Sequence, residues 1–569
     1  MQQTITTKIA NIKTYLRTRL KDQLSQSKIT VQLCLLAVVF SVLASAVIVL
    51  FRLLIEWANN ATQTTNLDFT VISYDWRVLL PLFGAFFIWI FAKLGSKRYK
   101  RMGIAYVLHK VKIYYGKIPL ASIPAQFFQA FFALAGNFSV GKEGPAVHLG
   151  AACASILAER FQLPNNSVRI MCASGIAAGI AAIYNAPLAA VIFVFEVILR
   201  EYKIHYFFPI MIAAICGTLS SRLFFGDVHE FEAIQVIHIP LDHYPLLAVG
   251  GLILGCVAAA FNYGLLFVTA RHQHKPLYQR LLLAGIVTTL IGLIYPQALG
   301  SSDLAIDHVL SQNPGLILLL GLLVAKAIAT IAAIGLGVPG GLIGPLYGLG
   351  AIIGAILSMA IASIFPSTAP FIGLYTVIGM TAMMGVCLSA PLAALVALLE
   401  LTNDASIILP AMFVSIPAYL LAYQTFKTKP IFLQQLTIMG LEYKVPVVEL
   451  GLQKIGVRAV MNRNFVVVNQ QPQLLLEVMK RAEGRPVLFR NKQHEIEMVQ
   501  LAMHNNDNAS SLSHHKIEGV SDNMTLCEVY RLLAPTRTGE VYVYQDSTDN
   551  IIGVIGWRDL YQQIRQAQE

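Results

Sequence analysis

From about residue 30 to residue 424 the chain is almost continuously apolar, and the apolar runs are broken by Gly and Pro rather than by charge. The first run, residues 30–57, is long enough to cross a bilayer core as a single helix. Several later runs are too short or too interrupted for a plain span of about 20 residues. Past Lys427 the pattern changes. The stretch VRAVMNRNFVVVNQQPQLLLEVMKR alternates short Val- and Phe-rich strands with an amphipathic helix, at ordinary charge density. Further on, residues 522–564 read as helix, strand, turn, strand, helix. The pattern therefore predicts an N-terminal segment (1–29), an all-α polytopic membrane region (30–440), a linker (441–455) and a small α/β domain (456–569).

Composition agrees with this division. Of 569 residues 56% are hydrophobic and 13% charged, whereas a soluble chain of this length carries about 25% charged residues. The net charge of +11 does not point to nucleic acid, because the basic residues cluster as membrane topology requires. Lys8, Lys13, Arg17, Arg19, Lys21 and Lys28 precede the first run against a single Asp22. Lys97, Arg98, Lys100, Arg101, Lys110, Lys112 and Lys117 follow the second run with no acid among them. By the positive-inside rule both segments face the cytoplasm, two crossings apart. The expected location is the cytoplasmic (inner) membrane, with both termini cytoplasmic and no signal peptide, since the first run is too long for one. The seven cysteines show neither a C-x-x-C pair nor a disulfide spacing, and read as small buried hydrophobes.

The membrane region repeats itself. GKEGPAVHLGA (141–151) lies 200 residues before GLIGPLYGLGA (341–351), with six of eleven positions identical. NAPLAAVIFVFEV (185–197) lies 204 residues before SAPLAALVALLEL (389–401), which brings Glu196 into register with Glu400. The two repeats span about 30–240 and 241–440. Paired Gly/Pro-interrupted segments in two halves of a membrane protein point to a transporter's central site.

The chemistry of that site follows from GNFSVGKEGPAVHLG (136–150). Its start is one letter short of the phosphate loop G-x-x-x-x-G-K-[ST], but Glu143 stands where the metal-binding hydroxyl should be, and the segment before it reads as a helix, not a strand. A nucleotide site is excluded. Gly141 and Gly144 instead bare the backbone, and Pro145 suits the first turn of a helix. Orphan N–H groups at a helix start, aided by the dipole, bind anions. The partner segment, with Leu342, Ile343 and Gly344, builds a second start without a charged side chain. Glu143 then reads as a carboxylate placed where the anion itself should go, since a glutamate buried there without a function would be costly.

At these residues the chain resembles the CLC family of chloride channels and chloride/proton antiporters. The resemblance rests on GKEGP (141–145), NAPLA (185–189), GVPGGLIGP (337–345), APLAALVALLELTND (390–404) and KPIF (429–432), and it covers about residues 30–433. The tail is similar to the paired CBS modules carried by many members. The resemblance implies a homodimer with one pore per subunit, inverted-repeat halves, and broken helices aimed at the anion from Met102, Gly103, Gly144, Leu342, Ile343 and Phe432. It also implies a gate and proton carrier at Glu143. Three departures matter. The serine hydroxyl of the family's first anion loop is replaced by Met102, the anion-touching tyrosine by Phe432, and the inner proton glutamate typical of antiporters by Val197.

Other polar residues tempt. His148 is five residues from Glu143, off its helix face, and reads as a packed or hydrogen-bonded histidine rather than a proton relay. Glu196 and Glu400, present in both repeats, read as structural. Lys326 reads as interior-paired or snorkelling. Lys142 either adds positive potential at the pore entrance or pairs structurally. Asp559 matches the acid that holds a ribose in adenosine-binding CBS modules, so the tail either binds an adenine nucleotide or is a dimerisation domain. No other cofactor or metal is expected. A membrane-embedded enzyme would need convergent ligands or an acid–base pair among the apolar helices, and no H-E-x-x-H, paired Asp or Cys/His cluster occurs there. A nucleotide sensor without transport would leave the repeat unexplained. The expected function is chloride transport through a pore gated by Glu143, channel-like or weakly coupled to protons. The alternatives are a fully coupled chloride/proton antiporter and a fluoride-selective transporter.

Overall fold

The computed structural model describes residues 18–26, 30–62, 76–94, 102–202, 204–227, 231, 239–240, 243–311, 315–441, 443–469, 472–491, 493–502 and 511–568. The basic residues Lys8, Lys13, Arg17, Lys28, Lys97, Arg98, Lys100 and Arg101 lie outside them. The chain separates into two compact units. One comprises residues 34–157 and 170–443; the other comprises 1–33, 158–169 and 444–569.

The first unit is helical: α1 (Val31–Thr62), α2 (Leu80–Leu94), α3 (Gly103–Ile113), α4 (Ser122–Ala135), α5 (Glu143–Arg160), α6 (Asn165–Tyr184), α7 (Pro187–Phe193), α8 (Ile204–Phe225) and α9 (Tyr244–His272). It continues with α10 (Leu277–Ile294), α11 (Asp303–Ser311), α12 (Leu316–Gly335), α13 (Ile343–Ile364), α14 (Ile372–Leu388), α15 (Pro391–Thr402), α16 (Ile408–Leu420) and α17 (Ile431–Ile438). Among the described residues nine helical stretches are long and apolar enough to cross a membrane, while α4, α7, α14 and α15 are shorter. This is a multi-pass membrane protein with broken helices.

The repeats appear as α4–α7 and α12–α15, in the same order. Their meeting is a two-residue bridge: Gly141 and Gly341, 200 positions apart, exchange N–H···O bonds of 2.8 and 2.7 Å in antiparallel sense. Antiparallel pairing of equivalent residues places a local two-fold axis at the bridge, as inverted halves require. A second exchange lies along the chain. Helices α7 and α15 both begin with proline after an alanine that offers no side-chain cap, so their first amides lack acceptors. Glu400 accepts the Leu188 and Ala189 amides at 2.9 and 2.7 Å, and Glu196 accepts those of Leu392 and Ala393 at 3.3 and 2.6 Å. Each repeat thus caps the other's half-helix. The structural reading of the two glutamates holds, with a sharper content: they are reciprocal N-caps.

Lys110 and Lys112, two of the basic residues after the second run, both lie within α3, and Lys112 is buried. Its Nζ donates to the Leu199 carbonyl at 2.5 Å, where a π-helical turn (Val194–Leu199) extends α7. A cation there answers the negative end of the helix dipole. The cysteines are all free, but only Cys172, Cys387 and Cys527 are buried, and Cys256 is exposed.

The second unit holds α18 (Val447–Leu452) and two β-α-β-β modules. The first runs β1 (Val466–Asn469), α19 (Leu475–Arg481), β2 (Val487–Arg490) and β3 (Ile496–Ala502), with β4 (Ser511–Lys516) beside β3. The second runs β5 (Glu518–Ser521), α20 (Leu526–Leu533), β6 (Glu540–Tyr544) and β7 (Ile551–Gly556), closed by α21 (Trp557–Gln568). In both the strands around the helix pair in parallel and the next pair is antiparallel. That repetition is the paired α/β organisation expected of a CBS-like tail. The N-terminal helical segment 18–24 belongs to this unit through a buried ionic cluster. Asp522 pairs with Lys21 at 3.0 Å and Arg458 at 2.9 Å, and Asp22 pairs with Arg458 at 2.7 Å.

Candidate anion site

Helix α5 starts at Glu143 and α13 at Ile343, and the first intrahelical donors are Ala146 and Leu346, bonded to the Lys142 and Leu342 carbonyls. With proline at positions 145 and 345, each start therefore presents two amides outside the helix ladder: Glu143 and Gly144 in one, Ile343 and Gly344 in the other. The Gly141–Gly341 bridge brings these two starts together. Glycine is required by the close approach itself, because a Cβ on Gly141 or Gly341 would collide with the Glu143 carboxylate, and one on Gly144 would meet the Gly340 carbonyl.

Glu143 is fully buried. Its Oε1 accepts the Ile343 amide across the repeat boundary, and its Oε2 accepts the Tyr184 hydroxyl at 3.0 Å. The carboxylate thus occupies an amide that a bound anion would otherwise take. Ile343 and Tyr184 also line a cavity of 30 Å³, room for one or two waters. Lys142 is half-buried on the turn before the helix.

A larger cavity of 600 Å³ collects the other candidates: Met102, Gly103, Leu342 and Phe432 all line it. The departures at Met102 and Phe432 therefore fall at one place, and neither side chain brings a hydroxyl to it. Gly144 and Ile343 are not in its lining; they belong to the bridge beyond Leu342. Arg101 of the same loop is outside the described residues. Val197 is buried within the π-helical turn, and its aliphatic side chain offers nothing that could hold a proton.

Three further polar residues have partners within their own surroundings. His148 Nε2 hydrogen-bonds the Ser122 hydroxyl at 3.1 Å, and its ring stacks on Tyr106. Lys326 is buried and donates to the Ala298 and Gly300 carbonyls at 3.2 and 2.8 Å, an interior pairing rather than a snorkel. In the tail, Asp559 Oδ2 accepts the Gly556 amide at 3.0 Å at the start of α21.

Sequence reasoning passed over Tyr184, and it gave Lys112 a charge role without its partner, the Leu199 carbonyl. Tyr184 had a signal: its repeat counterpart 204 positions on is Leu388. A polar residue in one repeat against an apolar one in the other is the same asymmetry that marks Glu143 against Ile343.

Two bridged half-helix starts whose first amides lie outside the helix ladder, with the Glu143 carboxylate folded onto them, define a membrane anion-pathway protein of inverted-repeat type. The chain belongs to the voltage gated chloride channel family, whose family model matches residues 83–423. Among curated relatives it is 27% identical over 438 residues to the H(+)/Cl(-) exchange transporter ClcA of Salmonella paratyphi A, covering 73% of this chain and 91% of that one. Among solved structures it resembles a slow cyanobacterial Cl-/H+ antiporter, with a TM-score of 0.63 at 21% identity over 72% of this chain and 99% of the other. It also resembles a CLC-type fluoride/proton antiporter, with a TM-score of 0.58 at 23% identity over 69% and 95%.

Proposed function

We propose that the chain passes small anions, chloride first, through a pathway gated by Glu143, with weak or no coupling to protons. One observation carries the reading: the buried Glu143 carboxylate takes the Ile343 amide at the junction of the two half-helix starts. Protonation would discharge the carboxylate and free that amide for an anion arriving along the cavity lined by Met102, Leu342 and Phe432. Gly103 and Gly144 complete the backbone lining of the path, and Lys142 raises the potential near it. Val197 favours the weakly coupled form, since a proton leaving Glu143 meets no second carboxylate at that position. The protein would work as a homodimer in the cytoplasmic membrane, both termini inside. The α/β tail would regulate it, and Asp559 is the residue through which an adenine nucleotide would act there.

A second reading is fluoride selectivity. It is supported by Met102, the residue type found there in fluoride-exporting members, and by the likeness to a fluoride/proton antiporter. The test for both is anion efflux from liposomes loaded with chloride or fluoride, with proton uptake recorded together. The proposal expects chloride efflux without steady uphill proton movement. Fluoride preferred by more than about tenfold, a difference of about 1.4 kcal/mol, would favour the second reading.

A further inference from the structure

We propose that Tyr184 is the positioning residue of the gate: its hydroxyl holds the Glu143 carboxylate on the Ile343 amide and so sets the pH at which the pathway opens. The inference rests on the reading of Glu143 as the gate. Tyr184 is the last residue of α6. Its hydroxyl donates to Glu143 Oε2 at 3.0 Å, while Oε1 of the same carboxylate accepts the Ile343 amide. One carboxylate is therefore held from two elements, by a phenol on α6 and by a backbone amide at the start of α13. A donor of this kind favours the ionised carboxylate, which is the form that covers the amide.

The end of α6 is fastened, so the phenol has a fixed position. Asn185 closes the helix at φ +53°, its amide bonded to the Ala181 carbonyl at 2.9 Å. Its side chain accepts from Arg222 Nε at 2.9 Å and donates to Asp227 at 3.0 Å, and Arg222 also pairs with Asp227. From α1, Arg52 pairs with Glu56 and donates to the Ile183 carbonyl at 3.4 Å. Two cations thus meet the negative end of the α6 dipole. These four charged groups bond to the helix end or to one another. Of the other titratable groups on the elements around Glu143, Lys142 lies on the turn before α5, His148 bonds the Ser122 hydroxyl, and Tyr347 of α13 lines the 30 Å³ cavity.

A purely structural tyrosine explains less. Apart from Tyr347, the cavity that Tyr184 lines is walled by apolar residues such as Ile180, Phe193, Met384 and Leu401. A hydroxyl left there without an acceptor would be costly, and leucine or phenylalanine would fill the space without that cost. The repeats make the comparison themselves. At the equivalent helix end the second half carries Leu388, and at the equivalent helix start it carries Ile343. Hydroxyl and carboxylate occur together in one half and are both missing from the other, as expected of groups that act as a pair.

The experiment follows chloride efflux against pH in liposomes holding the full chain as wild type, as Tyr184→Phe, or with Tyr184 replaced by 3-fluorotyrosine. Tyr184→Phe keeps the ring and removes the donor, so the pH of half-maximal efflux should rise by about one to two units. The fluorinated ring, nearly the same size but a stronger donor, should move that pH the other way. The effect of Tyr184→Phe at pH 7.5 should vanish when Glu143→Ala is present as well, since a residue that acts through the carboxylate has nothing left to act on. An unchanged midpoint in Tyr184→Phe, shifts of the same sign in both substitutions, or an effect that survives Glu143→Ala would each overturn the proposal. A wild type whose efflux does not vary with pH would instead overturn the gate reading beneath it.

Discussion

Hydroxyls and carboxylates decide what the site can hold. Met102 and Phe432 bring none to the cavity they share, so a central anion depends on backbone amides and on charge at a distance. Restoring the hydroxyls with Met102→Ser and Phe432→Tyr should tighten chloride binding by about 0.5–1.5 kcal/mol each, or roughly five- to 150-fold together. Isothermal titration checks this, and an unchanged dissociation constant in the double variant would mean that these side chains do not face the anion. In the tail, burial pushes the Cys527 thiol up to about 12. Burial favours the neutral thiol, so the reactive thiolate becomes populated only as pH rises toward that value. The peptide carrying Cys527 should stay unmodified by a maleimide at pH 8 in the folded protein, and mass spectrometry showing complete labelling there would contradict its burial. At this scale Glu143 was legible in sequence, because a charge between glycines before a proline has few structural uses. Tyr184 was not, because what gives it meaning is a partner far away in the chain.

Elements are positioned by two exchanges between the repeats, the glycine bridge at 141 and 341 and the mutual capping by Glu196 and Glu400. The repeat itself could be read from identity at a fixed offset, and the breaks in its helices from Gly and Pro. The capping could not, because a glutamate at a helix end looks the same whether it faces water, a neighbour or another helix's amides. Its register did carry the hint that both act alike. A carboxylate accepting two helix-start amides is worth about 1–2 kcal/mol. Glu196→Gln and Glu400→Gln should therefore each lower the thermal midpoint of the detergent-solubilised protein by similar amounts, leaving halide preference as it was. A variant with unaltered midpoint, or with changed selectivity and intact stability, would show that the carboxylate does something other than cap.

The whole molecule combines a helical membrane unit with a second unit that gathers the tail and the segment before the first span. Composition located the change of character near residue 427, yet nothing in the sequence announced that Lys21 would pair with Asp522, 501 positions away. Asp522 holds two buried cations, Lys21 and Arg458. Removing its charge with Asp522→Asn should cost about 3–5 kcal/mol of local stability, the price of stranding a buried ion. The N-terminal segment should then become sensitive to limited proteolysis, and a protease-resistant variant would mean the cluster is not what retains it. The account as a whole turns on Glu143, whose carboxylate stands in for the transported anion at the junction of the repeats. Liposomes carrying wild type or Glu143→Ala, followed for chloride efflux and proton uptake between pH 4.5 and 7.5 (chosen to span about three units above the usual glutamate range), test it most directly. Wild-type efflux should rise as the pH falls, while the variant should conduct at a rate independent of pH and move no protons. A Glu143→Ala protein whose flux kept the wild-type pH dependence would contradict the gate.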